Sequence, residues 1–146
     1  MKFTIKTVVQ QPFHTADKGF GKDWLVKLNP PVPPFRITRF DGLNDGDRVH
    51  IRFNFFLFKD DWEYVVRDKV DNEREWSFVD EGVRMPFFLK RWRHRYRLSA
   101  DNKGMNVTDE VDFDAPVRVL DFLLYPYLYL HFLYRKPIYK RRYGKI

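Results

Sequence analysis

Hydrophobic and polar residues alternate along most of this chain, and the alternation gives way to a helical period in only two places. Phe3, Ile5 and Thr7 alternate with Lys2, Thr4 and Lys6, which predicts a first strand ending near Gln10. Between residues 12 and 28 the period changes, and two short helical pieces are expected with a break around residues 19–21. The stretch NPPVPPF, residues 29–35, holds four prolines; they remove donors and fix backbone angles, so neither helix nor central strand fits. Strand patterns follow at residues 35–40, 48–58, 62–70, 74–80, 87–98 and 105–113, separated by turn chemistry such as DGLNDG and SADNKG. Residues 117–142 read as one long helix, with kinks expected at Pro126 and Pro137. No internal repeat or linker interrupts the order, so a single domain over 1–146 is expected. A strand, two short helices, about six strands and a terminal helix fit an α+β fold in which a curved antiparallel sheet is closed by that helix.

Composition adds a lined interior to this outline. Aromatic residues make up 18% of the chain, with 15 Phe and 8 Tyr, more ring surface than a small solid core needs; a pocket or an interface would use it. Charge is distributed unevenly. Net charge is +7, yet after Asp121 come six cations and no acid; 27 basic residues less those six leaves 21 against 20 acidic. Basicity therefore belongs to the tail, where helix-dipole complementation, anionic lipid or nucleic acid are the alternatives. The absence of cysteine excludes disulfides and thiol catalysis. The opening segment has no continuous apolar run of signal-peptide type, and the run at 122–134 is too short to span a bilayer, so a cytoplasmic address is expected.

The densest chemistry lies in KRWRHRYRLS, residues 90–99. On a strand, Arg91, Arg93, Arg95 and Arg97 share one face and Trp92, His94, Tyr96 and Leu98 the other. A phosphate-binding stripe would place rings beside the cations so that bases could stack. Parity separates them, and a solvent-facing strand surface is the simpler account. In the next strand Met105, Val107, Asp109, Val111 and Phe113 share a face, so Asp109 interrupts an apolar row. Pairing Leu98 with Met105 sets His94 opposite Asp109, with a two-residue shift as the alternative register. Such a pair either satisfies its own buried polarity or forms a base oriented by a carboxylate; His94 and Asp109 are therefore the catalytic candidates. No nucleophile accompanies them, and the remaining histidines lack metal-ligand spacing, so neither a metal nor a cofactor is expected. Asp80 and Glu81, before Gly82, read as turn residues.

These stretches resemble a known superfamily. PFFLKRWRHRYRLS, NVTDEVDFDAP and YLYLHFLYRKPIYK are similar to the W-x-H-x-[HY], T-x-D-x-V-x-[FY]-x-x-P and [FL]-x-[FY]-R motifs of a bacterial branch of the START-like, or SRPBCC, superfamily, which includes polyketide cyclases, lipid-transport domains and plant ligand-binding allergens. The matching positions are Trp92, His94, Tyr96, Thr108, Asp109, Val111, Phe113, Pro116 and the run from Phe132 to Arg135. The resemblance implies the helix-grip fold and a hydrophobic tunnel between sheet and helix. It implies no reaction, since binders and enzymes share the superfamily; Tyr96 stands where a second histidine is often found.

The function this suggests is binding of a hydrophobic or amphipathic small molecule, lipid or polyketide-like, in a cavity lined by Trp92, His94, Tyr96, Asp109 and Phe113, with ring walls from Phe53, Phe55, Trp76 and Tyr127. The alternatives are a cyclase or hydrolase using His94 with Asp109, and a membrane-peripheral or protein-interaction module working through the basic tail. The terminal helix carries rings on all sides, with one expected stripe along Leu120, Leu124, Tyr127, His131 and Tyr134 and another along Phe122, Tyr125, Tyr129 and Phe132. One stripe would line the cavity; the other would be covered by the short helices, by a second copy in a homodimer, or by a membrane with residues 135–145 against anionic headgroups. A nucleic-acid partner is not expected.

Overall fold

The structure, a computed structural model, describes residues 1–145. Strand β1 (Lys2–Val9) leads through a 3-10 turn (Phe13–Thr15) and helix α1 (Lys22–Leu28) into six further strands: β2 (Phe35–Phe40), β3 (Arg48–Asn54), β4 (Lys59–Asp71), β5 (Glu75–Arg84), β6 (Arg91–Asp101) and β7 (Gly104–Asp114). Helices α2 (Arg118–Leu133) and α3 (Arg135–Tyr143) complete the chain. All strand pairs are antiparallel, in the spatial order β1-β7-β6-β5-β4-β3-β2. Register shifts in β2 and β4, the latter beside Asp68 at φ +49°, mark bulges that bend the sheet around the helices.

Three differences from the sequence pattern affect the site. First, β3 stops at Asn54 because that side chain accepts the Phe56 N–H at 3.1 Å and turns the chain, so residues 55–58 form an aromatic hairpin loop in place of more strand. Second, β6 begins at Arg91, since a turn after Pro86, with Leu89 N–H bonded to its carbonyl, occupies residues 86–89. Third, the β6–β7 turn is two residues long, as Asp101 pairs with Gly104. This sets Leu98 opposite Val107 and Tyr96 opposite Asp109, the two-residue shift of the expected register.

The terminal helical segment is interrupted once, at Tyr134. Pro126 lies inside α2, whereas Pro137 ends the α2 rod, because its ring would collide with the carbonyl of residue 133; α3 restarts one residue after Tyr134. The buried positions Leu128, Phe132, Arg135, Tyr139 and Tyr143 recur at spacings of three and four and face the sheet. The expected helix stripes match this face only in part: Tyr125, Tyr129 and Phe132 of the second stripe pack on Phe3. Phe122, Tyr127 and Tyr134 are exposed, and Leu128 takes the central position.

The apolar interior divides into three clusters. One packs Trp76, Phe78, Tyr96 and Leu98 against Trp24, Leu28, Tyr139 and Tyr143. A second joins Phe3, Trp92, Val111 and Phe113 to Leu128 and Phe132. The third groups Leu25 with Ile37, Val49, Ile51 and Tyr64.

Gly104 closes the β6–β7 turn at φ +149°, where a Cβ would run into the carbonyl oxygens of Val9 and Gln10 in the neighbouring chain segment. Gly104→Ala is expected to cost about 3 kcal/mol through strain and displacement of β1. Urea unfolding measures it. Gly46→Ala, at φ +88° with open space around it, should cost clearly less.

Candidate functional site

The alternation in β6 sorts its side chains as the sequence suggests. Trp92, His94, Tyr96 and Leu98 are buried on the concave face, and the four arginines point outward. Carboxylates of nearby strands meet those arginines: Arg91 contacts Asp112 and Asp114 of β7 at 2.6 and 2.7 Å, Arg93 contacts Glu81 of β5 and Asp68 of β4, and Arg97 contacts Glu75 and Glu110. Each partly exposed pair contributes little to stability, at most about 1 kcal/mol.

Inside, His94 is held between two carboxylates. Its Nδ1 lies 2.6 Å from Asp80 Oδ2 and its Nε2 lies 2.7 Å from Asp109 Oδ1. Asp80 is its cross-strand partner from β5, and its Oδ1 also accepts a bond from Trp92 Nε1 at 2.7 Å. Asp109 comes from β7, diagonally across the ladder. It accepts further bonds from Arg135 Nη1 at 3.1 Å and from the Tyr139 hydroxyl at 2.8 Å. The restart of the helix after Tyr134 brings both α3 groups to the carboxylate.

An imidazole with an acceptor at each nitrogen binds a proton on both. Burial alone would lower the pKa of His94, but attraction to Asp80 and hydrogen bonds to Asp109 and Asp80 outweigh it and raise the value from 6.5 to about 9. Asp109 is pushed up by burial and pulled down further by Arg135 and His94, for a net lowering. His131, one turn before Arg135, behaves oppositely. Burial, then the nearby positive charges of Arg135 and His94, lower its pKa to about 3, and its Nε2 sits 3.2 Å from Asn29 Oδ1. Asp80 and Asp109 thus balance His94 and Arg135, and four charges share the interior with no net charge. Among the described residues no cluster of His, Cys, Asp or Glu is arranged to hold a metal ion.

The three apolar clusters meet at a pocket beside this network. Its volume is about 80 Å³, and its wall includes Leu25, Ile51, Tyr64, Phe78, Leu128 and Phe132, with His94, Asp80 and Arg135 on the polar side. That is well below the several hundred cubic ångströms typical of sites that enclose drug-sized ligands. Phe55, Phe88 and Tyr127 also line it, and the loops that carry the two phenylalanines hold Phe56 at 98% exposure, Leu57 at 92% and Phe87 at 62%.

Among the expected lining residues, Trp92, His94, Phe53, Phe55 and Tyr127 border the pocket. The other four do not. Tyr96 and Trp76 are packed in the first cluster beneath α1 and α3, and Phe113 is packed in the second against α2. Asp109 is fully enclosed behind His94, its oxygens already taken by His94, Arg135 and Tyr139.

Three network members escaped the sequence reading: Asp80, Arg135 and Tyr139, whose hydroxyl reaches Asp109. Asp80 is no turn residue: β5 continues four residues beyond it, and Trp76, Phe78 and Asp80 share the inner face, a parity visible in the sequence. Arg135 is no part of a free basic tail, since it is 5% exposed and bonded to Asp109. Its place in the Leu128, Phe132, Arg135, Tyr139 repeat was the available signal. In the same segment Lys136 caps the Lys6 carbonyl and Arg142 meets Asp17, so much of residues 135–145 is committed to the fold. No helix among the described residues is long and apolar enough to cross a membrane.

Seven antiparallel strands gripping a 26-residue helical segment (118–143) form a known architecture. The fold is the helix grip of Bet v 1-like proteins. The chain is similar to protein Ms6760 from Mycobacterium smegmatis at 18% identity and TM-score 0.61, over 91% of this chain and 84% of that one. It is similar to protein NE0264 from Nitrosomonas europaea at 15% identity and TM-score 0.59, over 96% and 94% of the two chains. Ara h 8.0201 aligns at 14% identity and TM-score 0.58, over 94% and 96%. At these identities the likeness establishes the fold alone. No family model and no curated protein matches the chain.

Two outcomes are expected from the helix-grip network. A raised pKa in the folded state means that His94 contributes stability in full below pH 6.5 and loses it as pH climbs through about 9. Nitrogen chemical shifts at pH 7.5 should accordingly show His94 as an imidazolium and His131 as neutral; a neutral His94 would contradict the network. Arg135→Leu leaves Asp109 short of a buried partner and should cost about 3–5 kcal/mol in denaturant unfolding, against less than about 1 kcal/mol for Arg93→Leu on the outer face.

Proposed function

We propose that this chain is a single START-like domain that binds an apolar or amphipathic small molecule, and that binding, with no accompanying reaction, is its biochemical role. The observation that carries the reading is the pocket at the junction of the three core clusters, apolar around most of its wall and bordered on one side by a closed polar network. The helix-grip fold supports it as an architecture that leaves space between sheet and helix. Its small volume argues for a ligand whose compact end enters and whose remainder leaves between the aromatic loops at 55–58 and 86–89.

The same geometry weighs against a cyclase or hydrolase using His94. A general base needs a free lone pair facing its substrate. Both nitrogens of His94 face carboxylates at 2.6 and 2.7 Å, and the proton on each is already shared. Asp109, the expected orienting partner, is occupied by three donors.

The test is uptake of N-phenyl-1-naphthylamine by delipidated protein, followed by fluorescence, alongside native mass spectrometry of freshly purified material. Saturable one-site binding is expected, and Leu128→Trp, which fills the pocket, should weaken it at least tenfold with the far-ultraviolet spectrum unchanged. If the wild-type protein shows no saturable uptake and carries no co-purified molecule, the binding role is refuted.

A further inference from the structure

The polar wall of the pocket constrains the ligand's chemistry, an inference that rests on the binding role above. Several polar groups bordering the pocket have partners: Asp80 is bonded to Trp92 and His94, and Asn29 to His131. Two solvent-shielded donors on wall residues do not. Trp62 Nε1 and Arg135 Nε are shielded from solvent and have no hydrogen-bond partner, and both residues line the pocket. The other unpartnered buried polar atoms among the described residues belong to side chains outside the pocket wall. Both pocket atoms are donors only, since neither an indole N–H nor a guanidinium can accept. A buried donor without a partner costs about 1–3 kcal/mol, and a ligand that supplies an acceptor recovers it.

Charge narrows the choice of acceptor. A carboxylate would satisfy both donors, but the surrounding network is already balanced, with Asp80 and Asp109 against His94 and Arg135. An anionic ligand would leave one uncompensated negative charge in an apolar enclosure, which is expensive. An uncharged oxygen leaves the balance intact. We propose that the pocket selects ligands presenting an uncharged hydrogen-bond acceptor, such as a ketone, ester or amide carbonyl, to Trp62 Nε1 and Arg135 Nε. Arg135 thereby has two roles, bonding Asp109 through Nη1 and offering Nε to the pocket, with its guanidinium 4.3 Å from the centre of the Phe132 ring.

Three naphthalenes of nearly equal size separate the possibilities: 2-acetylnaphthalene, 2-ethylnaphthalene and 2-naphthoate, titrated into the full chain at pH 7.5. The ketone should bind about tenfold more tightly than either of the others. Trp62→Phe keeps an aromatic ring and removes the donor; it should erase most of the ketone's advantage over 2-ethylnaphthalene, whatever the smaller ring does to the affinity of both. Equal affinity for ketone and hydrocarbon, strongest binding of the naphthoate, or an unchanged preference in Trp62→Phe would each overturn the acceptor rule while leaving a binding pocket in place. Failure of all three compounds to bind, together with absent probe uptake, would remove the binding role itself and this inference with it.

Discussion

Two carboxylates on adjacent but one strands of the same sheet face, Asp80 and Asp109, point into an interior built from aromatic rings, and the imidazole between them is what makes this arrangement tolerable. An isolated buried carboxylate loses several kilocalories of hydration. His94 offsets that loss twice, once through each nitrogen, and is held as a cation by doing so. Arg135 and Tyr139 complete the environment of Asp109 from the helix side. The network thus links β5, β6, β7 and α3, and the helix docks in the one position where its arginine meets the enclosed acid. Burial of charge in this way is weak evidence of stability. Here it serves better as a device for specifying geometry.

The pocket follows from that docking. Pro137 interrupts the helical rod, α3 packs on the first cluster, and α2 packs on the second. Near the joint the rings of the three clusters do not interdigitate fully, and a space remains against His94, Asp80 and Arg135. Its polar wall is largely self-satisfied, so what reaches the space is mostly hydrocarbon surface.

Much of the architecture was legible from patterning. Alternation located all seven strands and separated the rings of β6 from its arginines, because parity on a strand survives errors in where the strand starts. Strand ends were less legible. Asn54 and Pro86 redirect the chain through local side-chain and ring effects that an apolar run conceals, so β3 was drawn too long and β6 was begun too early. The cross-strand register was displaced by two residues because six turn-forming residues suggested a wide loop where a two-residue turn suffices; His94 reached Asp109 diagonally all the same. The site was half legible. Proximity of His94 to Asp109 follows from strand parity, whereas Asp80 was masked by the acid-glycine sequence after it and Arg135 by the basic residues around it. A cation inside a cationic run looks solvated unless the helical repeat is followed through it.

Charge balance among Asp80, His94, Asp109 and Arg135 also bears on how such a chain can change over generations. Replacing any one of the four strands a charge in a place water cannot reach, so isolated substitutions there are poorly tolerated. Exchange of an oppositely charged pair for two neutral side chains of similar bulk conserves the balance. These four positions should therefore drift together, in coupled steps, while the paired arginines of the outer face vary one at a time.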